Sequence, residues 1–341
     1  RGRLRMAPFG DWHNQTGAGW SIYWRISALQ GGGLEVGFCD FQGRRVLYRG
    51  GAPFALVPYH RPPLGPEPPA PFFCYKDGFA AACGGVPFTA LRHQAPNGQP
   101  PPSIWNASVD TDAVVVDVHP ATDFDPAELT ITAKFQCGWY QYVHRWTFDS
   151  DGGIHPAVAM GGRLNPNARA TAHLHHFYFR LDFDIDGSGQ DVVEVFDHNS
   201  FNDPGGDHWQ VVSSQGKFLA EPDTARKWRV RDLFSTNQFG LPRSYELELP
   251  QLAGRDQYST GDVWVTVFRG DSVQQGEGIS CTDTALDTTY AVGALNTANG
   301  NDIVVWVVIR AHHEPRNQGE ELVILPYHFH ELSISPRNFR P

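Results

Sequence analysis

The sequence predicts an all-β chain, a large antiparallel β-sandwich with long Pro/Gly-rich loops, and three observations carry that expectation. Apolar and polar residues alternate with a period of two through several long segments. There are 35 Gly and 26 Pro against two Met in 341 residues, which suits short strands joined by turns and disfavours helical bundles and coiled coils. Aromatics make up 13% and charged residues only 19%, which sets the chain apart from disordered sequences. No internal repeat and no charge-run linker divides it, so residues 1–341 read as one unit. The length is no obstacle, because all-β domains commonly reach about 250 residues as single units.

Taken in order, the proline-rich stretches at residues 62–71 and 96–102 lack the donors that a central ladder needs and read as exposed extended loops. Residues 127–148 (AELTITAKFQCGWYQYVHRWTF) alternate with a break at Cys137-Gly138, and the Asp149-Ser-Asp-Gly-Gly153 cluster is a turn. Residues 173–185 (HLHHFYFRLDFDI) form a strand closed by the turn Asp184-Ile-Asp-Gly-Ser-Gly189. Residues 224–234 are the best short helix, and residues 262–268 (DVWVTVF) and 302–310 (DIVVWVVIR) are further strands.

Charge and length exclude some functions. Twenty-seven basic against 37 acidic residues give a net charge of −10, the wrong sign for a nucleic-acid footprint. The longest apolar run, residues 303–309, falls far short of the ~20 residues of a membrane span. Five cysteines without CxxC spacing are too few for a disulfide scaffold, and their odd number leaves at least one thiol unpaired. The chain opens at Arg1 without an initiator Met. Asn14-Gln-Thr16 and Asn106-Ala-Ser108 fit the N-glycosylation pattern, so a secreted, periplasmic or extracellular location is expected.

The sharpest local pattern is His173-Leu-His175. Residues i and i+2 of a strand project from one face, so two imidazoles can converge on one ion of the copper, zinc, iron or nickel type. His312-His313, directly after the strand at 302–310, is the natural source of a third ligand. Asp182-Phe-Asp184 puts two carboxylates on one strand face, a donor set that a hard cation such as calcium prefers.

Several segments, in order and at matching spacing, resemble the catalytic domain of the copper-containing amine oxidases. They are Arg45-Val-Leu-Tyr-Arg49 with Val57-Pro-Tyr59, Gly138-Trp-Tyr140 with Trp146, the HLHHFYFRLDFDIDG strand, Asn301-Asp-Ile-Val-Val-Trp306 with His313-Glu-Pro-Arg316, and Pro326 to Phe339. The resemblance runs from about residue 35 to 341 and implies the family's β-sandwich without its smaller N-terminal domains. It implies copper on His173, His175 and His313, topaquinone made from Tyr140, and Tyr59 hydrogen-bonded to the quinone. It also implies a peripheral calcium held by Asp182, Phe183, Asp184, Asp302 and Ile303, and a homodimer as the assembly. The reaction implied is oxidative deamination of a small primary amine by O2 to an aldehyde, H2O2 and ammonia.

The pattern departs in places. The family's carboxylate base belongs some 14 residues after Val57-Pro-Tyr59, where Phe73 and Cys74 stand, and Asp77 is the nearest substitute. Trp139 and Gln141 replace the usual neighbours of the quinone tyrosine. The alternative reading is therefore a catalytically impaired copper-binding homologue with a structural, assembly or binding role. Base catalysis contributes about 10²–10⁴-fold, so its loss would cripple turnover without preventing metal binding.

Overall fold

The alternating segments become strands that pair antiparallel with their sequence neighbours and with distant segments alike. The structure, a computed structural model, describes residues 12–27, 33–59, 73–78, 89–90, 114–137, 140–162, 172–198, 208–221, 225–250, 254–270, 276, 278–279, 282–313 and 328–339. For residues 59, 73–78, 89–90, 134–137, 140–141 and 161–162 it describes the backbone alone.

In chain order the strands are β1 (His13–Gly17), β2 (Trp20–Ser27), β3 (Gly33–Phe41), β4 (Arg44–Tyr59), β5 (Phe73–Gly78), β6 (Thr89–Ala90) and β7 (Val114–His119). Next come β8 (Glu128–Cys137), β9 (Tyr140–Asp149), β10 (Ile154–Gly162), β11 (His173–Phe183), β12 (Asp191–Phe196), β13 (Trp209–Val211) and β14 (Gly216–Phe218). The last are β15 (Lys227–Thr236), β16 (Pro242–Glu248), β17 (Val263–Val267), β18 (Ile303–His313), β19 (His330–Glu331) and β20 (Ser333–Arg337). One sheet runs β1-β2-β3-β4-β11-β18-β17-β14, with β5 also on β4. The other runs β13-β12-β15-β16-β20-β10-β9-β8-β6, with β19 on β10 and β7 on β8.

The inner faces of the two sheets make the main core. Phe177, Phe179, Leu181 and Phe183 of β11 and Val305, Val307 and Ile309 of β18 meet Tyr142, Trp146 and Phe148 of β9 there. The alternate residues Tyr178, Val304, Trp306 and Val308 face outward into a second core with Ile279, Leu286 and Tyr290 from the segment around a π-helical turn (Leu286–Tyr290). With both faces covered, β11 and β18 read as nearly unbroken buried runs.

Close approach of the sheets explains one small residue. A Cβ on Gly50 would stand 2.6 Å from the Trp146 ring, so β4 can pass over that indole only as glycine. Trp146 is itself fully buried and packs edge-on to Phe179 at 6.1 Å between centroids.

The long alternating segment is the β8–β9 hairpin, broken after Cys137 as expected. The predicted helix at 224–234 is instead strand β15. Its burial alternates, with Trp228, Val230 and Asp232 inward, and it pairs with β12 on one side and β16 on the other. A period of two combined with two ladders outweighs the helical propensity of Ala225-Arg-Lys227. The proline-rich stretches at 62–71 and 96–102 lie outside the described residues.

The turn after β9 is built on Asp149. Its Oδ1 accepts the backbone N–H groups of Asp151 and Gly153, both at 2.8 Å, and His155 Nε2 stands 3.0 Å from its Oδ2. Hydrogen bonding to Asp149 raises the His155 pKa above 6.5, while the His155 and backbone donors hold Asp149 below 3.8 against the cost of burial. The histidine contribution is complete below pH 6.5 and is lost as pH rises through the folded value above it. The aspartate contribution is present above pH 3.8 and is lost as pH falls through the folded value below it. His155→Gln should therefore cost about 1 kcal/mol between the two limits and progressively less at alkaline pH. Denaturant titrations of both proteins from acid to alkaline pH would check this, and a cost independent of pH would contradict it.

Candidate metal centre

Strand geometry alone brings the three predicted histidines together. His173 and His175 are two apart on β11, and His313, near the end of β18, is the direct cross-strand neighbour of His173. Residues opposite each other on an antiparallel pair share a face, so all three rings enter the inter-sheet space at one end of the core. His173 Nε2 is 3.0 Å from His175 Nε2 and 3.3 Å from His313 Nδ1. One nitrogen from each ring lies within 4.8 Å of the other two. Two nitrogens bound about 2.0 Å from one ion, at angles between a right angle and a tetrahedral one, stand roughly 2.8–3.3 Å apart. The two contacts made by His173 Nε2 match edges of such a coordination sphere.

Burial suits the same purpose. The three rings are 5%, 0% and 2% exposed. Burial, then the neighbouring His173 and His313 rings, pushes His175 well below 6.5, and burial with His312 brings His313 to about 4. Neutral imidazoles are the form that binds a metal, so neither His175 nor His313 has to lose a proton at neutral pH. His312 is exposed on the opposite face of β18 and takes no part.

The hydroxyl of Tyr142 lies 2.9 Å from His175 Nδ1, and this tyrosine is fully buried. It was not singled out from sequence. The signal available was its spacing, two residues beyond Tyr140 on the same strand.

Tyr140 opens β9 opposite Cys137 and Gly162. In the β4–β11 ladder His176 pairs with Leu56, three residues before Tyr59 at the end of β4. Phe73 pairs with Tyr59 and Asp77 with Ala55, whose side chain belongs to the inter-sheet core. Position 77 thus lies four residues, about 13 Å, along β5 from position 73. The side chains of Tyr59, Asp77 and Tyr140 lie outside the described residues.

The acidic end of β11 is nine residues further along. Asp182 is paired with Arg180 at 2.9 Å, and burial raises Asp184 to about 7. Phe183 turns into the core opposite Leu47, while Asp302 immediately precedes β18 and Ile303 pairs with Val267. Asp191, which the sequence reading did not include, is fully buried and directly opposite Asp232. Asp184 Oδ1 and Asp191 Oδ1 are buried without a hydrogen-bond partner. The donors are those a hard cation takes, but among the described residues the convergence seen for the histidines is not reached by these carboxylates. Cys39 is a buried free thiol, in keeping with the odd cysteine count.

Comparison with known proteins agrees with this geometry. Residues 155–341, just over half of the chain, match the family model "Copper amine oxidase, enzyme domain". The copper-containing amine oxidase gamma 2 of Arabidopsis thaliana is 24% identical over 264 residues, covering 62% of this chain and 38% of the plant protein. A primary amine oxidase of Klebsiella aerogenes is 25% identical over 273 residues, covering 64% of this chain and 36% of the bacterial protein. The chain thus spans well under half the length of these curated relatives. In fold it is similar to a copper-containing benzylamine oxidase from Hansenula polymorpha, with a TM-score of 0.65, 18% identity, and coverage of 100% of this chain and 64% of that one. An Aspergillus nidulans amine oxidase gives a TM-score of 0.64 at 17% identity, covering 99% of this chain and 55% of that one. The chain therefore belongs to the copper amine oxidase family, and its fold is that of the family's enzyme domain.

Proposed function

We propose that this domain oxidises a primary amine, converting amine, O2 and water to aldehyde, ammonia and H2O2, with copper on His173, His175 and His313 and a quinone made from Tyr140. The observation that carries this reading is the convergence of three buried imidazoles, with His173 Nε2 at 3.0 and 3.3 Å from the nitrogens of His175 and His313. Copper, when bound, supplies the redox chemistry with O2 by which a nearby tyrosine becomes topaquinone.

The chain's own residues supply position and dryness. Tyr140 stands two residues before Tyr142 on β9, and Tyr142 touches His175. On this reading Tyr59, the last residue of β4, steadies the quinone oxygen through its hydroxyl. Asp77 is the carboxylate nearest in sequence to the family's base position, and on this reading it takes the α-proton of the bound substrate. Support for calcium at the far end of β11 is the pair of unpartnered carboxylate oxygens on Asp184 and Asp191, which a cation would satisfy.

The test is mass spectrometry of the Tyr140 peptide from copper-loaded protein, with amine-dependent H2O2 release measured alongside. A quinone mass at Tyr140 with H2O2 release is expected, and Asp77→Asn should lower release by about 10²-fold or more while copper stays bound. An unmodified Tyr140 in the copper-loaded protein would contradict the reading. Quinone without H2O2 release would favour the impaired homologue.

A further inference from the structure

We infer that Tyr142 is a positioning residue of the metal centre: its hydroxyl oxygen accepts the Nδ1–H of His175, presents that ring's Nε2 to the metal, and pins β9 against the site. The inference rests on His173, His175 and His313 being the copper ligands.

A neutral imidazole carries one N–H. His175 Nε2 faces His173 Nε2 at 3.0 Å, so for Nε2 to offer a lone pair the proton has to sit on Nδ1. His175 and Tyr142 are both fully buried, and the Tyr142 oxygen is 2.9 Å from Nδ1. Without that oxygen the useful tautomer loses the acceptor at Nδ1, which favours the form with the proton on Nε2. Partners of this kind fix both tautomer and ring orientation of metal-bound histidines. Phe177 supports the arrangement, lying T-shaped to Tyr142 at 5.4 Å and stacked along His175 at 6.3 Å.

The contact also joins the two sheets, since Tyr142 is on β9 and His175 on β11. Tyr140 is two residues before Tyr142 on the same strand.

Tyr142→Phe keeps the ring and removes the oxygen. Chelator competition should give copper affinity lower by about 10–100-fold, with an altered Cu(II) electron paramagnetic resonance spectrum and slower quinone formation at saturating copper. Metal-free thermal stability should change far less than copper affinity. A variant with wild-type affinity and spectrum would overturn the inference. A second measurement needs no variant. In wild-type protein loaded with diamagnetic zinc, ¹⁵N spectra should show a His175 Nδ1–H protected from exchange with water, and rapid exchange there would overturn the role equally. Wild-type protein that binds no copper would instead overturn the ligand assignment itself, and this role of Tyr142 with it.

Discussion

His173→Ala is expected to abolish stoichiometric copper binding, and with it any quinone at Tyr140. His173 is the vertex of the cluster, because its Nε2 makes both short contacts, 3.0 Å to His175 and 3.3 Å to His313. Removing it leaves two nitrogens, one from each of two strands, with no third donor at comparable distance among the described residues. Loss of an outer hydrogen-bond partner costs about 10–100-fold in metal affinity, and loss of a ligand at the centre should exceed that. His312→Ala is the matched control, next in sequence to His313 but exposed on the opposite face of β18, and should bind copper as the wild type does. Metal analysis after dialysis distinguishes the two. Full copper occupancy in His173→Ala would contradict the assignment.

Arg310→Met is expected to destabilise the fold by about 3–5 kcal/mol. The Arg310 guanidinium is completely buried three residues before His313, on the outer side of the first sheet. It donates to Asp262 Oδ1, to Ser259 Oγ at 3.0 Å, and to the backbone carbonyls of Ser259 and Gly261. Asp262 is 1% exposed and, among the described residues, keeps only Arg255 and the Ala220 amide when Arg310 is lost, so its charge stays buried with half its neutralisation gone. Methionine fills much of the same volume, so the loss is electrostatic and polar more than a cavity effect. Denaturant unfolding of Arg310→Met, Asp262→Asn and the double variant measures it. The double variant should be much less destabilised than the sum of the singles, because each single strands the other's partner. Additive effects below about 1 kcal/mol would contradict this view.

The sheet framework was legible because β8, β9, β11, β17 and β18 carry their periodicity in unbroken runs, and Asp149 and Asp184 mark turns with side chains that accept neighbouring amides or acidic clusters next to glycine. The histidine pair was legible for the same reason, since spacing i, i+2 has one meaning on a strand. His313 was picked out from its neighbour His312 by the family resemblance, and the register of β11 against β18 supplies the geometric reason. Tyr142 was hidden because a strand tyrosine ordinarily signals packing, and its partner lies 33 residues away in the other sheet. The Arg310–Asp262 pair, separated by 48 residues, and the facing Asp191 and Asp232 were hidden likewise, because long-range polar pairs leave no local pattern. β15 was misread for a different reason: four of its residues favour helices in isolation, and only the two flanking ladders decide otherwise.

X-ray absorption at the copper edge of the wild-type protein tests the three-histidine centre most directly. One copper per chain, with the scattering pattern of three imidazoles at about 2.0 Å, is the predicted result. Copper bound mainly through oxygen or sulfur, or with a single imidazole, would contradict it.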